Sequence, residues 1–493
     1  MAISQQSKNK NKSQKGRIFS MRLTIIFTIF IFLLTACSKE QVESVIVFGK
    51  VQRTPTVQHP QEVLVVTYSG SDTYYLNADN QYTGLEHDLA QLFSSKYAPE
   101  YKVKFLVVDH ISEVLPALAQ GKADVAAAAL PVSTLKAQQF LTAPAYYETQ
   151  PLLVYNKSLN EKPAKLHLPS EKKLAVSKDA GLKDDLNILS VKNPKLTWFE
   201  DQNNNPETLL TEVANGHLDY TVANSHLVNL MQNFYPELQE AFPIGKSEKI
   251  AWALGNNIDA RLQKKIDQFF VSIKRDGQLR NLLDRHYGHT ERLAENDITH
   301  FLTLAETELP KYKHLFKKAA AETGLNWRLL AALSYRESHW DANNTSPTNV
   351  RGLMMLTENT AEAMGVTDRL DPTQSIPAGA KYILKLKSLF PKTVPDQDRT
   401  YFALAAYNIG FSHVQDARTL AKRLKLNPDS WSDIKRTLVL LSDPNYYNTV
   451  KNGYASGGAP VILVETVRSY QNILEKYQPS KMQMLSRYFT AAK

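Results

Sequence analysis

A single cysteine among 493 residues rules out any disulfide within the chain. Metal chemistry is equally short of material, because the twelve histidines show no His-Glu-x-x-His or comparable ligand spacing. No Gly-rich loop ends in Lys-Ser/Thr and no Ser/His/Asp arrangement is marked by a nucleophile elbow, which removes phosphate-loop and serine-nucleophile chemistry. No metal and no cofactor is therefore expected. The apolar run Leu23 to Leu34 falls short of the ~20 residues that a helix needs to span a bilayer. Acidic residues are absent before Ala36, where Lys8, Lys10, Lys12, Lys15, Arg17 and Arg22 stand unopposed. The formal charge of +9 less those six leaves +3, so no nucleic-acid partner is expected.

What is present describes globular protein: 43% hydrophobic and 22% charged residues, in a chain too long for one core of ~100 to 200 residues. The basic stretch followed by a short apolar run has the form of a signal peptide over residues 1–36. Leu34-Thr-Ala-Cys37 resembles a bacterial lipobox, which implies that Cys37 carries a membrane anchor. Ser38 after it, rather than Asp, implies the periplasmic face of the outer membrane. Met21 is an alternative start. Residues 37–61, with Pro55 and Pro60 among polar and β-branched residues, form a tether.

From residue 62 the pattern alternates strand and helix, the sign of an α/β sheet. Strands are expected at Val63 to Tyr68, Lys102 to Val108 and Val125 to Leu130, with helices at Leu85 to Tyr97 and Ile111 to Gln120. Helix, Gly121-Lys-Ala-Asp124, strand is echoed by helix Glu207 to Asn215, Gly216-His-Leu-Asp219, strand Tyr220 to Ala223, which suggests two similar lobes. Asp124 and Asp219 are expected to bond backbone in the turn before each strand. Residues 62–289 resemble the family 3 solute-binding proteins, the two-lobed periplasmic receptors of polar amino acids. The resemblance rests on Gly84 to Ala90 (GLEHDLA), Leu115 to Val132, Phe140 to Tyr147 and the ending Asp276 to Leu279 with His286-Tyr-Gly288. It places Lys136 where the family has an arginine for the ligand carboxylate, and Asn224 where it has an aspartate for the ammonium. Lysine lacks the planar fork and asparagine lacks the charge, so a muropeptide or peptide is the expected ligand, or none at all.

After Gly288 the sequence becomes helix upon helix. Trp327 to Trp340 (WRLLAALSYRESHW) spaces Leu330, Leu333 and Glu337 three and four apart, which sets a carboxylate on an apolar stripe. Burial there should lift its pKa towards neutrality. Glu337-Ser338, then Gly352-Leu353-Met354-Met355, then Ala406-Tyr407-Asn408 resemble in this order the Glu-Ser, Gly-Leu-Met-Gln and Ala-Tyr-Asn signatures of family 1 lytic transglycosylases. The resemblance implies a goose-type lysozyme-like domain over residues 290–493 and cleavage of peptidoglycan glycan strands. It assigns Glu337 as the single acid and base, and Ser338, Gly352, Leu353, Met354, Tyr407 and Asn408 as substrate contacts. Two positions depart from it: Met355 replaces the glutamine, and Leu463 stands where a tyrosine is usual, with Tyr454 or Tyr470 as substitutes. Two other readings remain open, a module that grips glycan without cutting it and a lysozyme-type hydrolase. The missing second carboxylate separates the latter. The two domains are expected to communicate through closure of the lobes on ligand.

Overall fold

The computed structural model describes residues 62–478 except 78–79, 165–171, 179–181, 195–196, 290–292 and 348. Cys37, the signal-like segment and the tether lie outside the described residues. The first sheet runs in the order Lys102–Val108, Glu62–Tyr68, Val125–Ala126, Ala253–Leu254, Leu141–Thr142. Its first three strands are parallel, and Ala253–Leu254 is antiparallel to both neighbours. Val63 and Val65 feed the core on one face while Val66 and Tyr68 feed the other, as a parallel strand covered on both sides requires. The second sheet repeats the plan: Thr197–Asp201, Lys173–Ser177 and Tyr220–Asn224 are parallel, then Pro151–Asn156 and Leu238–Pro243 follow antiparallel. The chain leaves the first sheet through Tyr147–Thr149 and returns through Glu248–Ile250, and these two segments pair antiparallel as a ribbon between the lobes.

The echo between the halves is real, but its aspartates bond differently from expectation. Asp124 accepts from the Leu64 N–H at 2.8 Å and Asp219 from the Lys173 N–H at 2.9 Å. Each carboxylate thus holds the first residues of the neighbouring strand rather than its own turn. The strand expected over Val125 to Leu130 is shorter in the sheet, because Ala129 turns into left-handed backbone at φ 51° and directs its N–H to Glu86 instead.

From Glu295 onward the described residues form helices, with strand pairing limited to isolated bridges around Thr345, Arg351 and Leu356. The Trp327–Ser338 helix packs against Leu309–Thr323 and the long Gly458–Tyr477 helix. One apolar core runs from the second lobe (Leu227, Met231) through Ile298 and Phe301 into this helical half. The first lobe attaches through charge. Arg468, only 3% exposed, donates to the Asp284 and Arg285 carbonyls at 2.9 Å and to buried Glu465 at 2.8 Å. It thereby gives a second donor to the Asp284 carbonyl, which already accepts from the Gly288 N–H at 2.9 Å, and a donor to the Arg285 carbonyl in the last turn of the Gln278–Tyr287 helix. Arg280 pairs with Asp433 at 2.6 Å beside it.

Candidate active site

The Trp327–Ser338 helix begins where the Asn326 side chain accepts from the Arg328 N–H at 2.8 Å, a standard N-cap. Leu330 and Leu333 are fully buried, and Glu337, one turn beyond on the same stripe, is half-buried. The helix stops at Ser338, two residues before the expected end. His339 (φ 52°) and Trp340 (φ 60°) are both left-handed, a conformation costly for side chains with a Cβ. Burial of Trp340 and its indole bond to the Ala331 carbonyl at 2.9 Å hold that turn in place.

Facing this helix end, Gly352 to Leu356 is pinned at almost every peptide. The Gly352 N–H donates to the Asn344 carbonyl at 2.9 Å, and the Met354 N–H to Ser375 Oγ at 3.3 Å. Ser334 and Ser338 hydroxyls reach the Leu353 carbonyl at 2.9 and 3.0 Å, and the Tyr407 hydroxyl donates to the Met354 carbonyl at 2.5 Å. Gly352 is obligatory, with φ 78° and the Arg369 carbonyl oxygen 1.8 Å from where a Cβ would stand. Gly379 is left bare for Met354, whose side chain would lie 2.7 Å from an added Cβ.

The expected substrate contacts separate into two groups. Ser338, Leu353 and Met354 are at most 1% exposed, so their side chains build the wall behind the site. The Met354 side chain therefore fills the core instead of lining a groove. Half-buried Met355, in left-handed backbone at φ 45°, is the residue of this loop with side-chain surface to offer. Tyr407 is half-buried and Asn408 exposed at the end of the Asp396–Ile409 helix. Of the tyrosine substitutes, Tyr454 is 63% exposed and meets Tyr447 edge-on. Tyr470 stacks on Phe301 at 4.4 Å and is pushed up to about 12, by burial first and Asp297 second. Leu463 is buried in the helical core.

Burial pushes the Glu337 carboxyl up to about 7, with Arg336 opposing weakly. No hydrogen bond or ion pair to this carboxyl occurs among the described residues. Burial also raises the Tyr407 hydroxyl, and after it the nearby charge of Glu337, then Tyr382. Tyr382, whose ring lies 5.5 Å from that of Tyr407, went unnoticed in the sequence, as did Ser334 and Ser375. Only Ser334 carried a signal, its four-residue spacing from Ser338. In the receptor-like half, Lys136 is exposed, and Asn224 is half-buried ahead of the Ser225–Gln232 helix. No cluster of His, Cys, Asp and Glu able to hold a metal ion occurs among the described residues.

Residues 314–429 match the Transglycosylase SLT domain family, and residues 64–289 match the bacterial extracellular solute-binding proteins, family 3. The chain is 48% identical over 459 residues to a membrane-bound lytic murein transglycosylase F of Methylobacillus flagellatus, covering 93% of this chain and 95% of that one. It is 42% identical to the protein of the same name in Nitrosospira multiformis, covering 94% of each. Among solved structures, an ancestral arginine-binding protein matches 46% of this chain and 98% of its own, at 20% identity and a TM-score of 0.40.

Proposed function

Because the chain belongs to the family of membrane-bound lytic murein transglycosylases F, we propose that Glu337 is the one acid and base with which it cuts glycan strands. The reaction is the non-hydrolytic cleavage of peptidoglycan, a lyase activity. The bond is the β-1,4 link between N-acetylmuramic acid and N-acetylglucosamine. The observation that carries the assignment is a carboxyl raised to about 7 by burial and engaged by no donor among the described residues. Such a group holds a proton near neutral pH and can return to the base form without breaking an existing bond.

In the first step the Glu337 carboxyl protonates the glycosidic oxygen, and the bond to muramoyl C1 breaks. The substrate's own N-acetyl carbonyl stabilises the cation developing at C1, which replaces the second carboxylate of ordinary glycosidases. In the second step the Glu337 carboxylate takes the proton of the muramoyl C6 hydroxyl, whose oxygen attacks C1. The product is a 1,6-anhydro ring, no water is consumed, and Glu337 ends protonated as it began. Tyr407 and Asn408 position the sugar beside the carboxyl. Gly352, Leu353 and Met354 contribute backbone to the groove, with Ser338 fixing them from behind.

The test is mass spectrometry of peptidoglycan digested by the chain from Ser38 onward. The chain itself is expected to release anhydro-muropeptides, and Glu337→Gln is expected to lose roughly 10²–10⁴-fold in turnover. Reducing muramic acid ends would instead identify a hydrolase, and no product from either protein would favour a glycan-binding module.

Residues 62–289 would take a small polar ligand, a muropeptide or peptide, and residues 290–493 would form the catalytic domain. Attachment of both lobes to the helical half supports communication between ligand closure and catalysis. The protein would act at the periplasmic face of the outer membrane, held by a lipid on Cys37 of the lipobox-like Leu34-Thr-Ala-Cys37.

A further inference from the structure

Where the two lobes meet the Gly458–Tyr477 helix, a cavity of about 450 Å³ opens. Ser71 and Tyr75 of the first lobe, Glu207 and Phe234 of the second, and Asn472 and Lys476 of the helix line it. A volume of this order suits a small molecule. Neither Lys136 nor Asn224 reaches it.

One wall has a specific chemistry. The Lys476 ammonium lies 4.6 Å from the centre of the Phe234 ring and 5.0 Å from that of Tyr235. Glu207 Oε1 stands 3.6 Å from it. Two ring faces and a carboxylate around an ammonium form a recognition cage for alkylammonium groups. Glu207 is aimed by the Ser71 N–H, which donates to its other oxygen at 2.9 Å. The Ser71 hydroxyl oxygen is itself buried on the cavity wall without a hydrogen-bond partner among the described residues, a group that a bound molecule would satisfy. Next to it, burial first and the Glu207 carboxylate second push the Asp72 carboxyl up to about 7.

We propose that this cavity binds a small molecule bearing a primary ammonium on an apolar stem, and that Lys476 fills the cation cage until such a ligand displaces it. The displacement leaves the helix docked, since the Tyr477 hydroxyl donates to the Phe234 carbonyl at 2.6 Å independently of Lys476. The cage is thus a receptor for the chemical group that the chain already places in it.

The test uses n-butylammonium, which reproduces the four-carbon lysine stem, and reads binding by calorimetry on the chain from Ser38 onward. Lys476→Ala is expected to bind it roughly tenfold tighter than the unaltered chain, because the internal competitor is gone. Lys476→Met, which refills the cage with an uncharged stem, should show no gain, and Glu207→Gln added to Lys476→Ala should abolish it. In the unaltered protein, millimolar cadaverine should raise the thermal midpoint while 1-butanol leaves it unchanged, a measurement that survives misfolding of any variant. Equal affinity in Lys476→Ala and the unaltered chain, a gain that persists without Glu207, or equal effects of cadaverine and butanol would each overturn the proposal. Binding alone is read, so the outcome does not depend on the chemistry of Glu337.

Discussion

Two desolvated glutamates, one in each half of the molecule, begin from the same physics and end in different states. Glu86 in the Leu85–Leu92 helix is fully buried, and burial raises its carboxyl as it does that of Glu337. Glu86, however, accepts from the Ala129 N–H at 2.9 Å, the Trp252 indole at 2.7 Å and the Tyr146 hydroxyl. Three protein donors engage both of its oxygens, and it joins a helix, a loop and an aromatic core into one lobe. Glu337 has the desolvation without a donor among the described residues. A carboxyl that is saturated holds a fold together, whereas one that is desolvated and unsaturated keeps its proton exchange for a substrate.

Breaking the comparison at Glu86 should have the largest effect. Glu86→Ala leaves two N–H groups and a hydroxyl buried without their acceptor and opens a cavity, a loss of roughly 4 kcal/mol. A urea melt followed by Trp252 fluorescence measures it, and an unchanged midpoint would contradict the structural role. At Glu337 the opposite sign is expected. Its folded pKa, raised from 4.5 to about 7, means that the folded chain holds a proton that the unfolded chain releases, so stability falls as pH rises between those values. Glu337→Gln does not titrate. Its stability advantage should be absent below pH ~4 and reach about 3 kcal/mol above pH ~7, at ~1.4 kcal/mol per pH unit. Parallel stability curves for the two proteins would mean that the carboxyl is not desolvated. The smallest effect is expected from Tyr407→Phe, which removes one hydrogen bond to the Met354 carbonyl, about 1 kcal/mol. Turnover should fall more than substrate affinity if the hydroxyl steadies the loop beside Glu337, and equal losses in both would point to a direct sugar contact.

Some of this was legible in advance. The stripe of Leu330, Leu333 and Glu337 is a local periodic pattern, and a helix turns it into burial regardless of what packs above it. The three short signatures in order and the Gly-x-x-Asp echo were also open to reading, because they are strings of adjacent residues. The side-chain partners were not. Nothing in Ser338 announces that its hydroxyl meets the Leu353 carbonyl rather than substrate, and Met354 and Met355 look interchangeable until a left-handed residue sends only the second outward. The turn at His339 and Trp340 was missed for a related reason: left-handed backbone is normally flagged by glycine, and here tertiary packing imposes it on two bulky residues.

By itself the sequence determined the alternation of strand and helix before Gly288 and the change to helices after it, the family, and a carboxylate on an apolar helix stripe, since each depends on residues a few positions apart. Only the tertiary structure decided which desolvated carboxylate meets protein donors and which meets none among the described residues. Glu86 and Trp252 are 166 positions apart, and Glu207 meets Lys476 from the far end of the chain. Desolvation follows from local pattern, but hydrogen-bond satisfaction depends on where distant donors come to rest, and that is settled only when the chain packs.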